Sequence, residues 1–348
     1  MFALATMDMS FPFNTYLVAV FSSFVITLLS AFFWRKWCLR TGLVDEPGQR
    51  KIHNESIPLA GGLAVMTGLL IPILFASFFL AFQVGPEHSS SFLRGDTGTN
   101  ATGLLQHGFS RRMVPLAGIF LGAIGILIVG WLDDMHELRP RIKFLGQLLI
   151  AALLAASGIR ITLFVHGLFF HYLITILWIL TLINAFNFMD NMNGLCAGLA
   201  AIGALYFGLI AAADGQYLVA LIAFLTFGAL LGFLPHNFPR ARAFLGDAGS
   251  HLLGYLLAVL AILPHFYTPH HPRRWAVLIP LLVLAVPLLD LVWVVILRSR
   301  KGQPFYIGDT NHLSHRMVRL GISPTRAVLS IWLAAAIIGG LAFLIAWA

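Results

Sequence analysis

The chain has 348 residues, of which 59% are hydrophobic and only 10% charged, and its mean hydropathy is +0.87. A soluble domain carries roughly 25% charged residues, so a water-soluble fold is excluded and a polytopic membrane protein is expected. The net charge of +8 reflects 22 Lys and Arg against 14 Asp and Glu; it fits attraction to an anionic membrane leaflet, and the chain carries no nucleic-acid-binding motif.

Runs apolar enough to cross about 30 Å of hydrocarbon lie near residues 13–34, 59–83, 113–132, 143–159, 169–187, 195–213, 217–235, 250–266, 276–297 and 327–347. The expected fold is therefore all-α with about ten transmembrane helices; the fourth, seventh and eighth runs are short or Gly-interrupted, so the count tolerates one more or fewer. Placing the segment after the first run in the cytoplasm and alternating puts sixteen of the 22 Lys and Arg inside and leaves Arg94, Arg111, Arg112, Arg160, Arg273 and Arg274 outside. That is the positive-inside bias, and it places both termini outside. No Lys or Arg precedes the first run, which argues against a cleaved signal peptide. The two cysteines, Cys38 and Cys196, fall at cytoplasmic helix ends and are expected to be packing residues.

After the first run, residues 42–62 form a charged loop punctuated by Pro and Gly, in which Arg50, Lys51 and His53 offer cations at the membrane surface. Each cation taken alone serves equally well as a topological anchor. Gly61-Gly62 permits close backbone approach where the second helix begins. Residues 84–112 are polar and mark an outside loop in which no site is expected. The third run ends in Gly130-Trp-Leu-Asp-Asp134, and two carboxylates at a helix C-terminus oppose the macrodipole by about 0.3–1 kcal/mol each. Something cationic is required there: Arg139, Arg141 or Lys143, a divalent metal, or a proton taken from an acceptor.

The fifth run leads into Asn184-Ala-Phe-Asn-Phe-Met-Asp-Asn-Met-Asn-Gly194. On a helix Asn184, Asn187 and Asp190 (or Asn191) share one face and direct polar groups at one small volume. The seventh run ends in His236, and Gly246-Asp-Ala-Gly-Ser250 opens the eighth helix. Free amides at that N-terminus suit a phosphate, and Asp247 suits its accompanying metal or, alternatively, caps the helix. Asp290 lies inside the ninth run near Pro287, either as a functional group or as the hydrogen-bond partner of a broken helix. A short helix over Asn311–Leu320 places His312, His315, Arg316 and Arg319 at i, i+3, i+4 and i+7, one cationic stripe able to clamp a diphosphate or to rest on anionic lipid.

By the same alternation Lys51, His53, Asp133, Asp134, Asn187, Asp190, Asp247, His312 and His315 all fall on the cytoplasmic side. So do nine of the 14 acidic residues. Carboxylates without thiolates favour a hard ion such as Mg²⁺, and the cations favour a phosphate-rich substrate. Together they are equipment for phosphoryl transfer.

In order along nearly the whole chain, Arg50-Lys-Ile-His53, Ile57-Pro-Leu-Ala-Gly-Gly62, Leu132-Asp-Asp134, Asn184-x-x-Asn-x-x-Asp190 with Gly194-Leu195, Phe244-x-Gly-Asp-x-Gly-Ser250 and Asn311-His-Leu-Ser-His-Arg316 resemble the polyprenyl-phosphate N-acetylhexosamine-1-phosphate transferases. The Ile-Pro-Leu-Ala-Gly-Gly loop is more similar to the undecaprenyl-phosphate N-acetylglucosamine-1-phosphate transferase branch than to the phospho-N-acetylmuramoyl-pentapeptide transferases, which stand as the alternative. The resemblance implies a Mg²⁺-dependent enzyme, with Mn²⁺ as substitute, of the bacterial inner membrane. It implies one transferase domain over 1–348 whose cytoplasmic segments, about 35–58, 132–143, 188–194, 236–250 and 298–326, form the active site. The implied reaction moves N-acetylhexosamine-1-phosphate, GlcNAc-1-phosphate first, from a UDP-sugar to undecaprenyl phosphate with release of UMP, the initiating step of a lipid-linked cell-envelope polysaccharide or lipopolysaccharide.

Carried onto this sequence, the resemblance gives catalytic roles to Asp133, Asp134, Asp190, Asp247, His312 and His315. Asp133 and Asp134 receive or deprotonate the lipid phosphate, and Asp247 with Asp190 holds the metal. Substrate contacts fall to Lys51, His53, Asn184, Asn187, Phe244, Arg316 and Arg319, with Phe244 near the uracil. The implied partners are a UDP-N-acetylhexosamine, polyprenyl phosphate, membrane lipid and, as assembly, a homodimer; nucleic acid is excluded. Two departures stand out: Asn193 replaces the second carboxylate of an Asp-Gly-x-Asp-Gly pattern, and Ser314 replaces a third histidine. A transporter with broken helices and an intramembrane aspartyl protease using Asp190 and Asp247 are the competing classes. Neither uses the Asp133-Asp134 pair together with the His and Arg stripe.

Overall fold

The computed structural model describes residues 12–46, 55–83, 113–162, 165, 167–264, 266, 274–304 and 311–347. Lys51 and His53 lie outside the described residues. Those described form twelve α-helices: α1 Phe13–Thr41, α2 Gly61–Gln83, α3 Met113–His136, α4 Pro140–Ala156, α5 Leu168–Met189, α6 Leu195–Ala213, α7 Tyr217–Asn237, α8 Gly246–Ile262, α9 Ile279–Val283, α10 Ala285–Arg300, α11 Leu313–Arg319 and α12 Pro324–Trp347. Two two-residue strands, β1 Val44–Asp45 and β2 Ile57–Pro58, pair antiparallel with Val44 opposite Pro58. The protein is an all-α polytopic membrane protein.

Among the described residues seven helices, α1, α2, α3, α5, α6, α7 and α12, are long and apolar enough to cross a membrane, and eight spans result if the bent pair α9 and α10 counts as one. The remaining two expected spans correspond to α4 and α8, each 17 residues long. Helix α4 opens with Arg141 and Lys143, which shortens its apolar part. The ninth run is broken by 72°, at Leu284 and not at Pro287 itself. Pro287 has no N–H to give the carbonyl four residues earlier, so the ladder fails just N-terminal to it.

Helix α8 is the axis of the bundle. Every residue from Ala248 to Ala261 is buried, and α2, α3, α5 and α6 pack around it. With protein on every side, α8 has no hydrocarbon thickness to match. Small residues set these contacts, as expected where helices associate by close packing in lipid. A Cβ on Gly254 would meet the Leu182 carbonyl oxygen at 2.5 Å, and one on Gly130 the Asp247 carbonyl oxygen at 2.4 Å. The outer helices turn apolar side chains outward, among them Phe21 and Phe33 on α1 and Leu333 and Ile337 on α12. Cys38 and Cys196 are both buried and unbridged, as expected of packing residues.

The loop between α1 and α2 is tied to the start of α8 by backbone. The Phe244 N–H donates to Pro58 O at 3.0 Å and the Gly61 N–H to Phe244 O at 2.8 Å. The Gly61-Gly62 pair gives the close approach its sequence promised, but to protein: a Cβ on Gly62 would stand 2.6 Å from the backbone nitrogen of Gly249.

Candidate active site

The last turn of α3 abuts the first turn of α8. The Asp134 carboxylate accepts the backbone N–H groups of Asp247 at 2.7 Å and Ala248 at 3.0 Å. One group thereby satisfies two orphan amides of α8 and places a negative charge at the positive end of its dipole. Gly246 makes the turn possible, since its φ is +69° and a Cβ there would lie 2.6 Å from Asp134 Oδ2. This corrects the expectation that these amides are free for a phosphate.

Asp133 points the other way. It accepts the Leu138 N–H at 2.8 Å and pairs with Lys143 Nζ at 2.7 Å, and Lys143 reaches Asp247 Oδ2 at 2.8 Å. Lys143, from the start of α4, is the cation that two carboxylates at a helix C-terminus demanded. Its side chain is 20% exposed and that of Asp133 8%, so the pair is partly withdrawn from solvent screening. Asp247 is not a helix cap: it stands in the first turn of α8, and its other oxygen accepts the Asn187 side-chain amide.

Asn187 also donates to Ser250 Oγ at 3.0 Å, and Asn184, one turn earlier on α5, donates to Gln147 Oε1 at 3.0 Å. The shared face read from the spacing of Asn184 and Asn187 is therefore real, and it fills the α4–α5–α8 seam with polar contacts. Asp190 ends α5. Burial, and then the charges of Asp247, Asp134 and Asp45, push its carboxyl up to about 8. Asp134 and Asp247 meet directly where α3 abuts α8, and Asp190 feels the charge of both and of Asp45.

A second cluster stands against the end of α5. Phe188 lies edge-on to the His312 ring at 5.7 Å and beneath the Arg298 guanidinium at 4.8 Å. Ser314 Oγ donates to Asn191 Oδ1 at 2.6 Å, joining α11 to the turn after α5. The expected cationic stripe on α11 is modified. His312 is the residue before the helix, buried, and bound to Asp290 at 2.6 Å. His315 stands 6.4 Å from it, ring to ring. Arg316 is exposed and stacks over Trp293 at 5.0 Å, and Arg319 is exposed.

An open cavity of about 670 Å³ reaches Asp133, Asp134 and Asp247 and is also lined by Asp45, Glu46 and Glu137. Phe244 is half-buried where α8 begins. Among the described residues no group of three His, Cys, Asp or Glu has the spacing of a metal site. The donors are nonetheless hard carboxylate oxygens, and Mg²⁺ commonly takes one or two protein carboxylates and completes its shell with water and substrate phosphate. Asp247, which lines the cavity, has the donor chemistry for an ion shared with substrate, and no all-protein cage is formed among the described residues. Lys143, Gln147 and Ser250 were missed as site residues. Lys143 carried a signal as one of three cations near Asp134 and Ser250 as the end of the Phe244–Ser250 motif, whereas Gln147 carried none.

The fold and this site define a membrane-embedded protein that gathers acids, amides and a lysine from separate helices at one end of its bundle. Comparison with known proteins gives the family: the family described as Glycosyl transferase family 4 matches residues 116–265. A Mycolicibacterium smegmatis protein named decaprenyl-phosphate N-acetylglucosaminephosphotransferase is 33% identical over 335 residues, covering 89% of this chain and 77% of the relative. A Bacillus subtilis protein named as a probable undecaprenyl-phosphate N-acetylglucosaminyl 1-phosphate transferase is 28% identical over 91% of this chain and 82% of its own. The Escherichia coli undecaprenyl-phosphate alpha-N-acetylglucosaminyl 1-phosphate transferase is 28% identical over 93% and 82%. The chain belongs to glycosyl transferase family 4 and is a membrane-bound sugar-phosphate transferase.

Proposed function

We propose that this chain transfers GlcNAc-1-phosphate from UDP-N-acetylglucosamine to undecaprenyl phosphate and releases UMP, with its active site on the cytoplasmic face of a bacterial inner membrane. The observation that carries the reading is the junction of Asp133, Asp134, Lys143, Asn187 and Asp247, whose three acids line the 670 Å³ cavity. The relatives' names supply the chemistry, and the positive-inside bias supplies the orientation.

In the proposed reaction an oxygen of the lipid phosphate attacks the phosphorus next to the sugar. The bond from that phosphorus to the bridging oxygen breaks, and UMP leaves with the electron pair. Such a transfer needs from protein mainly placement and neutralisation of charge. Asp247 and Asp190 would hold Mg²⁺, which supplies neutralising charge to the diphosphate when bound. Asp134 has both oxygens engaged by α8 amides and so fixes the first turn that carries Asp247. Asp133 lines the cavity and would take the proton of the lipid phosphate. Lys143 bridges Asp133 and Asp247 and offsets the repulsion between the two carboxylates. His312 and His315, on the same end of the bundle, hold phosphate oxygens, while Phe244 flanks the base.

The test is release of UMP by the purified protein in lipid nanodiscs, given undecaprenyl phosphate, Mg²⁺ and a panel of UDP-sugars. UDP-N-acetylglucosamine should be the preferred donor. Absence of UMP with every donor would refute the reading, and preference for the UDP-N-acetylmuramoyl-pentapeptide would move the protein to the other branch.

A further inference from the structure

Asp290 has no place in the reaction as described, yet it is among the most deeply enclosed charged groups of the described residues, its side chain 1% exposed. It lies on α10 just beyond the bend at Leu284, in an otherwise apolar run. A carboxylate in such a position persists only when it is fully hydrogen-bonded. Asp290 Oδ1 accepts the Leu313 N–H at 2.7 Å, and Oδ2 lies 2.6 Å from His312 Nδ1. An ionised carboxylate only accepts, so the proton between them belongs to Nδ1 of His312. Nε2 makes no hydrogen bond among the described residues, and Phe188, two residues before Asp190, closes one side of the ring.

We infer that Asp290 is a positioning residue. It fixes the tautomer and tilt of His312 so that Nε2 faces the phosphate of the nucleotide-sugar. The inference rests on the transferase reading for its ligand. The alternative is a purely structural role, in which Asp290 closes the N-terminus of α11 and would matter equally with or without the imidazole.

The experiment is a double-mutant cycle on the full chain in nanodiscs, following UMP release against UDP-N-acetylglucosamine concentration for wild type, Asp290→Asn, His312→Ala and the double variant. Asp290→Asn keeps an oxygen for the Leu313 amide but presents an N–H to Nδ1, which drives the ring proton to Nε2. Loss of a partner that orients a ligating histidine commonly costs about 10–100-fold. Accordingly KM should rise about tenfold or more, with kcat changed less, and the double variant should be no worse than His312→Ala. Losses that multiply in the double variant, or a wild-type KM in Asp290→Asn, would overturn the inference. Histidine nitrogen shifts of ¹⁵N-labelled wild type, with His312→Ala for assignment, decide the same point without any variant at Asp290. A protonated Nδ1 on His312 supports the assignment and an unprotonated one overturns it. A wild-type protein that releases no UMP refutes the transferase reading alone, since the nitrogen shifts still judge Asp290.

Discussion

Gly130 offers a sharp perturbation of the site without touching a charged group. In Gly130→Ala the new methyl would stand 2.4 Å from the Asp247 carbonyl oxygen and 2.5 Å from Ala248 Cα, backbone that has no rotamer to escape into. Ordinary contact begins near 3.4 Å, so α3 and α8 must part by about 1 Å. That opening lengthens the two bonds from Asp134 to the Asp247 and Ala248 amides, now 2.7 and 3.0 Å, beyond useful hydrogen-bond range. Overpacking of this kind costs about 1–3 kcal/mol, against which Ala returns up to about 1 kcal/mol of helix propensity. With the two bonds from Asp134 lost as well, each worth about 1.5–3 kcal/mol, stability should fall by roughly 3–6 kcal/mol, while turnover of the folded protein falls about a hundredfold, as a misplacement of about 1 Å at a reacting centre commonly does. The control lies on the same helix: a methyl at Gly125 meets only the end of the Ile150 side chain, which can turn away. UMP release and thermal unfolding of both variants in nanodiscs check the expectation. Equal activity of Gly130→Ala and Gly125→Ala would refute the claim that the α3–α8 junction sets the chemistry.

Lys143→Met should lower turnover at least a hundredfold and stability by about 1–3 kcal/mol, because it leaves Asp133 and Asp247 facing one another; unchanged rates would reduce Lys143 to a membrane anchor. Asp247→Asn should abolish turnover and the response to added Mg²⁺, whereas the wild-type protein should stop in chelator and recover on readdition. A metal-independent rate would remove the ion from the account. Asp134→Asn presents an N–H to an α8 amide and should unfold at lower temperature than Asp133→Asn, which should stay folded but inactive; the reverse order would exchange their roles. Asn193→Asp loses one 3.3 Å bond to the Pro239 carbonyl at an exposed position, so activity should stay within about twofold, and inactivation would show that the amide itself is needed.

The helices were legible because length and apolarity of a run are local properties, and the acids announced themselves by being expensive where they stood. What was hidden is tertiary. Nothing near Asp134 says that its carboxylate will meet amides 113 residues away, so those amides looked available to a phosphate. Lys143 could be named only as one of three cations until the turn between α3 and α4 aimed it at Asp133. His312 fitted a surface stripe by spacing, yet it became the buried residue before α11 because Asp290, 22 residues earlier on a bent span, captures its ring. The span count exceeded the long apolar helices for a related reason: α8 is sheathed by protein, and the thickness of hydrocarbon does not govern its length.

The Asp134 bridge from α3 to α8 has a consequence for handling the protein. The two helix ends are fastened by the chain's own carboxylate and amides, with Lys143 as an internal counter-ion, so this end of the bundle needs no divalent ion to hold it together. On the proposed reading, protein passed through chelating buffers should keep its architecture and regain turnover when Mg²⁺ is resupplied, unlike small metallo-domains that come apart when their ion is stripped.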